Sequence, residues 1–389
     1  MRAASVADFR ELARRRLPNI FFEYIDGGSY AEVTLARNVA DLEAIALRQR
    51  VMRDMTALDM SVETLGQTLA MPVGLSPVGM AGMYARRGEV QAARAAAAAG
   101  APFCLSTVSV CSVEEVARGA TAPWFQLYML KDRGYMTELL GRAKAAGCPV
   151  LVFTVDLPVP GSRYRDIRSG FTGASGVSGA LRQGLDGLAH PAWMWDVWAN
   201  GRPHSLGNVE GALAQKGRRV TDFLGWVARN FDRSVTWADL DWVRRSWDGP
   251  IVIKGVLDVE DAREAVRCCA QGVVVSNHGG RQLDGVKSSI SALPRIADAV
   301  GGELEVFMDG GVRSGLDVLK AAALGAKACF VGRAWAWALG AGGEAAVAQM
   351  LAILRSELAV AMILTGCTAM RDAGRALLDL DEASPARRR

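Results

Sequence analysis

Ten consecutive residues, Ser276-Asn277-His278-Gly279-Gly280-Arg281-Gln282-Leu283-Asp284-Gly285, bring together a base, a fixed cation and adjacent glycines. They follow the apolar run Gly272-Val273-Val274-Val275, which reads as a buried strand ending abruptly in polar residues. His278 is one of only three histidines in the chain. Imidazole can take up a proton near neutral pH, and a guanidinium three residues on can hold a carboxylate through parallel N–H bonds. Such a loop suits the removal of a proton beside a carboxylate.

Lys254 follows Ile251-Val252-Ile253 directly. A lysine there must either pair with a negative group or snorkel out of the strand end. Paired, it could serve as a Schiff-base nucleophile or as a fixed cation beside an electron-rich cofactor ring. The stretches Asp309-Gly310-Gly311-Val312-Arg313 and Gly332-Arg333 combine glycine turns with arginines. They could bind phosphate through backbone N–H groups, a helix N-terminus and guanidinium donors, or could be tight turns with solvated arginines.

These residues fall at the ends of a repeating pattern. Short apolar segments at 71–76, 102–107, 123–128, 149–156, 250–255, 273–276, 305–309 and 328–333 alternate with helical stretches between most of them. Eight such segments predict an α/β fold, a parallel (β/α)₈ TIM barrel. A doubly wound open sheet is the alternative, but no G-x-G-x-x-G follows the first strand. Ser76, Ser106, Gln126, Tyr128, Thr154, Asp156, Lys254, Ser276, His278, Asp309 and Arg333 all lie at or just past segment ends. In a barrel that is the C-terminal face, where active sites are built. An N-terminal helical extension over 5–25, interrupted at Pro18, runs into Gly27-Gly28 and carries Tyr24. Residues 30–70 read as mixed connecting structure with a short hairpin from Leu58 to Ala70.

The chain has 389 residues, a net charge of +4 and 50% hydrophobic residues, so it can bury a large core and carries no basic excess for nucleic acid. Seven cysteines, without a C-x-x-C pair or a His-Cys cluster, read as small buried residues in a reducing compartment, with no metal site. The N-terminus has no apolar signal region, and no uninterrupted apolar run reaches about 18–20 residues. Together these features suggest a cytoplasmic protein, or one attached to a membrane from the cytoplasmic side.

The motifs Ser276 to Asp284, Ile253-Lys254-Gly255, Thr154-Val155-Asp156, Gln126-Leu127-Tyr128 and the two glycine-arginine stretches resemble those of the FMN-dependent α-hydroxy acid dehydrogenases and oxidases. The resemblance runs from about Ser5 to Met370 and implies a single barrel domain over 1–389. Within the family, Gly82 to Glu89 and Leu105 to Cys111 are most similar to the bacterial respiratory branch that oxidises L-lactate to pyruvate. Mandelate dehydrogenases are the nearest competitor, and Val108 stands where glycolate oxidases tend to have a tryptophan. The resemblance implies that His278 is the base, held and charge-balanced by Asp156. It implies that Arg163 and Arg281, with Tyr24, clamp the carboxylate of a small 2-hydroxy acid, and that Tyr128 bonds its hydroxyl. FMN would be held by Pro77, Val78, Gly79, Ser106, Gln126 and Thr154, with Lys254 beside its ring and Ser276 and Asp309 nearby. Gly310, Gly311, Arg313, Gly332 and Arg333 would take its phosphate. A respiratory quinone or cytochrome would be the electron acceptor, and a homo-oligomer is expected. Outside the family, the residues leave open a Schiff-base aldolase using Lys254, or a membrane-associated protein that binds a phosphorylated ligand without turnover.

Residues 168–247 interrupt the pattern after the fourth segment and are too long for an ordinary βα loop. They begin with a Gly/Ser/Ala-rich stretch from Gly170 to Gly187 and continue with Trp193, Trp195 and Trp198 close together. A folded lid or subunit contact would account for them. Tryptophans also favour the membrane–water boundary, which predicts peripheral contact with the cytoplasmic face of the cell inner membrane. Arg387-Arg388-Arg389 could add attraction to an anionic surface or form a disordered tail.

Overall fold

The chain first forms α1 (Val6–Arg16), α2 (Asn19–Asp26) and α3 (Val33–Glu43), then a small antiparallel hairpin of β1 (Val62–Thr64) and β2 (Gln67–Leu69). Eight strands follow: β3 (Val73–Leu75), β4 (Cys104–Ser106), β5 (Trp124–Leu127), β6 (Leu151–Thr154), β7 (Ile251–Val256), β8 (Gly272–Val275), β9 (Glu305–Asp309) and β10 (Ala328–Val331). The computed structural model describes residues 3–171, 184–209, 227 and 229–379. The strands pair in parallel in the order β3-β10-β9-β8-β7-β6-β5-β4, and the bridge Leu75–Phe103 joins the two ends. The eight expected segments are therefore the eight staves of a (β/α)₈ barrel.

Strand alternation sorts the side chains. Trp124, Val152, Val252, Val274, Phe307 and Phe330 form an interior cluster, whereas Phe125, Phe153, Ile253, Val275 and Met308 belong to the layer under the helices. Trp124, Phe307 and Phe330 meet one another at centroid distances of 5.3–6.1 Å. Each such pair adds about 0.5–1.5 kcal/mol beyond the area buried. Gly74 makes room for this packing, because a Cβ there would lie 2.6 Å from the Phe330 ring. Leu69 of the hairpin joins the same cluster, with Val62 and Leu65 packed against it, so the hairpin plugs the barrel at the end away from the site.

Several local expectations change. Pro18 separates α1 from α2 as anticipated, but 33–43 is a helix, α3, inside the stretch read as connecting structure. Its N-terminus is capped from a distance: the Asp284 carboxylate accepts from the N–H groups of Thr34 (2.7 Å) and Val33 (3.3 Å). A helix over Ser289–Val300 also follows β8. The apolar helix Arg333–Thr365 is long enough to cross a membrane by length and composition, unlike any run anticipated from the sequence. It bends at Gly342-Gly343, and its Trp335, Leu339, Leu351, Leu354 and Leu358 are buried where it packs on α1 and on the helices Gly88–Ala98 and Gly315–Ala323. Five cysteines are buried, but Cys268 is only partly covered and Cys269 is exposed.

Between β6 and β7 the chain includes the short helices Tyr164–Ser169 and Asp239–Ser246 and helical turns over 191–199. Of the Gly/Ser/Ala-rich stretch, residues 172–183 lie outside the described residues, as does the C-terminal arginine run.

Candidate active site

A cleft at the C-terminal ends of the strands gathers residues from the whole chain. Tyr24 reaches it from α2, Pro77, Val78 and Gly79 from beyond β3, and Tyr128 from the end of β5. Arg163 enters from the segment after β6, Lys254 from β7, and His278 and Arg281 from the loop after β8. Asp309, Gly310, Gly311 and Arg313 line it beyond β9, and Gly332 and Arg333 beyond β10. Asp156 and Ser276 stand behind this lining, bonded to residues on it. Ser106, Gln126 and Thr154 also sit in a second layer, side by side across the strand ends: Ser106 pairs in register with Gln126, and Thr154 with Lys254.

The His278 side chain has a built orientation. His278 Nδ1 lies 2.9 Å from Asp156 Oδ1, so an Nδ1–H donated to the carboxylate leaves Nε2 with the lone pair. Asp156 fits because β7 bulges at Gly255: the register shifts between Lys254 and Val256, Gly255 has φ +108°, and a Cβ there would lie 2.6 Å from Asp156 Cβ. His278 itself has φ +57°, a left-handed conformation uncommon for a residue with a side chain, and its N–H donates to Ser276 Oγ at 3.0 Å. Burial lowers the His278 pKa below its ordinary value, with Lys254 and Arg163 adding to the effect, although Asp156 works the other way. Burial also opposes charge on Asp156, but the imidazole and Lys254 outweigh it and hold the carboxyl below its ordinary value. Neutral imidazole and charged carboxylate are thus the favoured pair, which suits His278 to accept a proton.

Lys254 is buried and paired, with Asp309 Oδ2 at 2.9 Å and Ser276 Oγ at 3.0 Å. Burial alone would lower its pKa, but Asp309 and Asp156 carry it above the ordinary lysine value. A Schiff-base nucleophile needs a neutral amine. This environment fixes a cation instead and argues against the aldolase reading.

The arginines form a second distinctive group. Arg281 lies over the Tyr24 ring at 4.8 Å, and Arg163 lies 5.9 Å from the same ring. Arg163 Nε donates to the Arg281 carbonyl at 3.4 Å. Burial and the neighbouring Arg281 push the Arg163 pKa down. Arg333 is buried with its guanidinium on the carbonyls of Asp26, Gly27 and Gly279, and Arg313 stacks over Trp337 at 4.9 Å. Burial lowers the Arg333 pKa well below the ordinary value, with Arg281 and Arg313 contributing, and lowers that of Arg313 to about 10. Crowded guanidiniums that lean on neutral carbonyls are suited to an anion, and the N-terminal dipole of the helix Arg333–Thr365 favours one there. Gly310 and Gly311, at φ +95° and +89°, bring backbone to the same place.

These features fit a phosphorylated flavin. The arginines and the helix N-terminus suit its phosphate. The buried Gln126 Nε2 and Thr154 Oγ1 have no partner among the described residues and suit the polar edge of its ring, with Lys254 beside them. A profile of FMN-dependent dehydrogenases matches residues 13–380. This chain belongs to that family. FMN is accordingly the cofactor of this family member. An L-lactate dehydrogenase of Caulobacter vibrioides is 60% identical over 367 residues, covering 94% of this chain and 95% of the relative. A mandelate oxidase structure is 39% identical with a TM-score of 0.82, covering 97% of this chain and 98% of the other. A structure of the monotopic membrane protein (S)-mandelate dehydrogenase is 32% identical with a TM-score of 0.91, covering 98% and 100%.

The cleft of this family member also includes residues that the motifs did not single out. Phe231 lines it against Tyr128, with ring centroids 5.0 Å apart, and Leu157 and Val227 add apolar wall. Asn38 of α3 bonds Asn277. A loop aromatic and an asparagine on a surface helix carry no sequence signal of a site, because only the fold brings them to one.

Proposed function

We propose that the chain oxidises L-lactate to pyruvate, with FMN as immediate oxidant and a respiratory quinone or cytochrome as the onward acceptor. The observation that carries this reading is the His278–Asp156 pair, 2.9 Å apart, in one cleft with Arg163 and Arg281. When bound, FMN supplies the two-electron acceptor that oxidation of a carbinol requires. Arg163 and Arg281 hold the substrate carboxylate, and Tyr128 takes its hydroxyl. His278 Nε2 accepts a proton, and Asp156 balances the imidazolium that results. Lys254 keeps a fixed positive charge at the Gln126 and Thr154 edge and would hold the electron-rich side of the bound ring there. Ser276 steadies both Lys254 and the His278 backbone. Tyr128 and Phe231, with ring centroids 5.0 Å apart, form one wall of the cleft beside the substrate hydroxyl.

Steady-state rates on L-lactate, mandelate and glycolate, each with a quinone analogue and with oxygen, test the assignment. L-lactate with quinone should give the highest kcat/KM, and a tenfold preference for mandelate or for oxygen would overturn it.

The same reading includes peripheral contact with the cytoplasmic face of the inner membrane. The clustered tryptophans Trp193, Trp195 and Trp198 divide in a way that supports a narrower version of the anchor. Trp193 is buried, donates to the Met83 carbonyl at 2.8 Å and packs on Phe21, so it belongs to the core. Trp195 and Trp198 are 73% and 48% exposed, with Leu185 and Leu188 also exposed nearby in sequence. These four, without Trp193, are the residues we assign to the interface.

A further inference from the structure

The guanidiniums of Arg281 and Arg333 converge on the C-terminus of α2. Arg281 Nη1 donates to the carbonyls of Tyr24 at 2.6 Å and Gly27 at 2.8 Å. Arg333 donates through Nε to the carbonyl of Asp26 at 3.2 Å and through Nη2 to that of Gly27 at 2.8 Å. One oxygen, that of Gly27, therefore serves two guanidiniums with different ligands. Carbonyls at a helix C-terminus lack intrahelical partners and form the negative end of the dipole, so they suit cations. Their direction decides where both guanidiniums point.

The Asp26 side chain fixes that direction. Its carboxylate is 1% exposed and receives Arg10 Nε at 2.6 Å, Arg10 Nη2 at 2.8 Å and Arg165 Nη2 at 2.8 Å. Arg10 comes from α1, and Arg165 stands two residues after Arg163 in the helix Tyr164–Ser169. Asp26 is thus held from both sides, by the N-terminal extension and by the segment that delivers the other clamp arginine. The turn after it has no room to slide. A Cβ on Gly28 would lie 2.9 Å from the Gly280 carbonyl, and Ser29 N–H donates to that carbonyl at 2.8 Å. The α2 turn therefore rests directly on the loop that carries His278 and Arg281.

We propose that Asp26 is a positioning residue for both anion sites: its carboxylate, clamped by Arg10 and Arg165, sets the α2 carbonyls that aim Arg281 and Arg333. The inference rests on the assignment of those two arginines to the substrate carboxylate and the FMN phosphate. It links two binding steps that would otherwise be independent, because loosening one carboxylate loosens both ligands.

The test uses Asp26→Asn in the FMN-loaded full chain, with Arg281→Lys as control. For Asp26→Asn, KM for L-lactate and the inhibition constant of pyruvate should rise about tenfold, and FMN should dissociate about tenfold more readily on dilution. Flavin reduction at saturating L-lactate should slow by less than about threefold, since no reacting group is removed. A variant that melts earlier but keeps KM and FMN affinity would overturn the proposal, because a merely structural carboxylate gives that result. If Asp26→Asn does not fold, Arg10→Met is read in its place, with smaller changes in the same direction expected and unchanged KM and FMN affinity counting against the proposal. Arg281→Lys separates the two levels. If it leaves KM unaltered, the clamp assignment fails; if it raises KM while the Asp26 and Arg10 variants do not, only the positioning role fails.

Discussion

Asn38 and Asn277 bond each other twice: Asn38 Nδ2 donates to Asn277 Oδ1 at 2.8 Å, and Asn277 Nδ2 returns to Asn38 Oδ1 at 2.7 Å. Both are buried, and the pair joins α3 to the residue before His278. Asn277 Oδ1 also receives Gly280 N–H at 3.0 Å, so the amide holds both sides of the left-handed His278. Asn38→Ala removes two bonds to the buried Asn277 amide and the acceptor of the Ser289 N–H, and should cost about 1–3 kcal/mol. The urea midpoint should fall while FMN is retained, and flavin reduction should slow as the His278–Asp156 geometry loosens. An Asn38→Ala protein with unchanged midpoint and rate would show that the amide pair does not hold the loop.

The His278 environment predicts a pH profile with a definite sign. A general base works when neutral, and burial moves protonation of His278 below its ordinary value near 6.5. The rate of flavin reduction should therefore stay level through neutral pH and fall only on the acid side, below that value. Folding stability follows the same direction: the native imidazole binds its proton less readily than the unfolded one, so stability is lost as pH falls through the window beneath 6.5. Asp156→Asn removes the group that favours the imidazolium and should move the acid limb lower while slowing the reaction. His278→Gln should keep FMN and lose roughly 10²–10⁴-fold in reduction rate. An acid limb unchanged in Asp156→Asn would argue against the pair as the source of the profile.

Lys254 and Asp309 form a buried ion pair, and breaking it from one side leaves a charge without compensation. Lys254→Met should cost about 3–5 kcal/mol. Adding Asp309→Asn should recover part of that loss, because the stranded carboxylate is then gone. Chemical denaturation of the two single variants and the double variant measures the coupling. Simple additivity would mean that the 2.9 Å contact contributes little.

Exposed Trp195 and Trp198 predict a separable membrane phenotype. Replacing both by serine should move most of the protein from the membrane to the soluble fraction, with activity towards a soluble artificial acceptor unchanged. Replacing the buried Trp193 by serine would instead test the core. Unaltered fractionation of the double variant would remove these tryptophans from the interface.

The barrel was legible because each strand is a short apolar run with a polar terminus, and because barrel chemistry collects at those termini. Lys254 was informative for the same reason: a lysine after Ile251-Val252-Ile253 needs a counterion, and Asp309 supplies it. What the sequence concealed is held by distant contacts. The N-terminus of α3 is capped by Asp284 across the fold, which no local pattern reveals. The helix Ser289–Val300 contains Pro294, and the helix Arg333–Thr365 contains the Gly342-Gly343 bend, so both depart from a clean helical period. Within the site, the carbonyls of Tyr24, Asp26 and Gly27 seat two arginines, and main-chain atoms leave no trace in residue types. Trp193 and Trp195 look alike in sequence, yet one is buried and the other exposed, since burial depends on which face of a short helical turn meets α2.

The most direct test of the account is anaerobic mixing of the FMN-loaded protein with L-lactate while the yellow flavin absorbance is followed. The account predicts that L-lactate bleaches the flavin within the turnover time and forms one pyruvate per flavin, whereas His278→Gln stays yellow under the same conditions. A wild-type protein that binds FMN and remains yellow with L-lactate would contradict it.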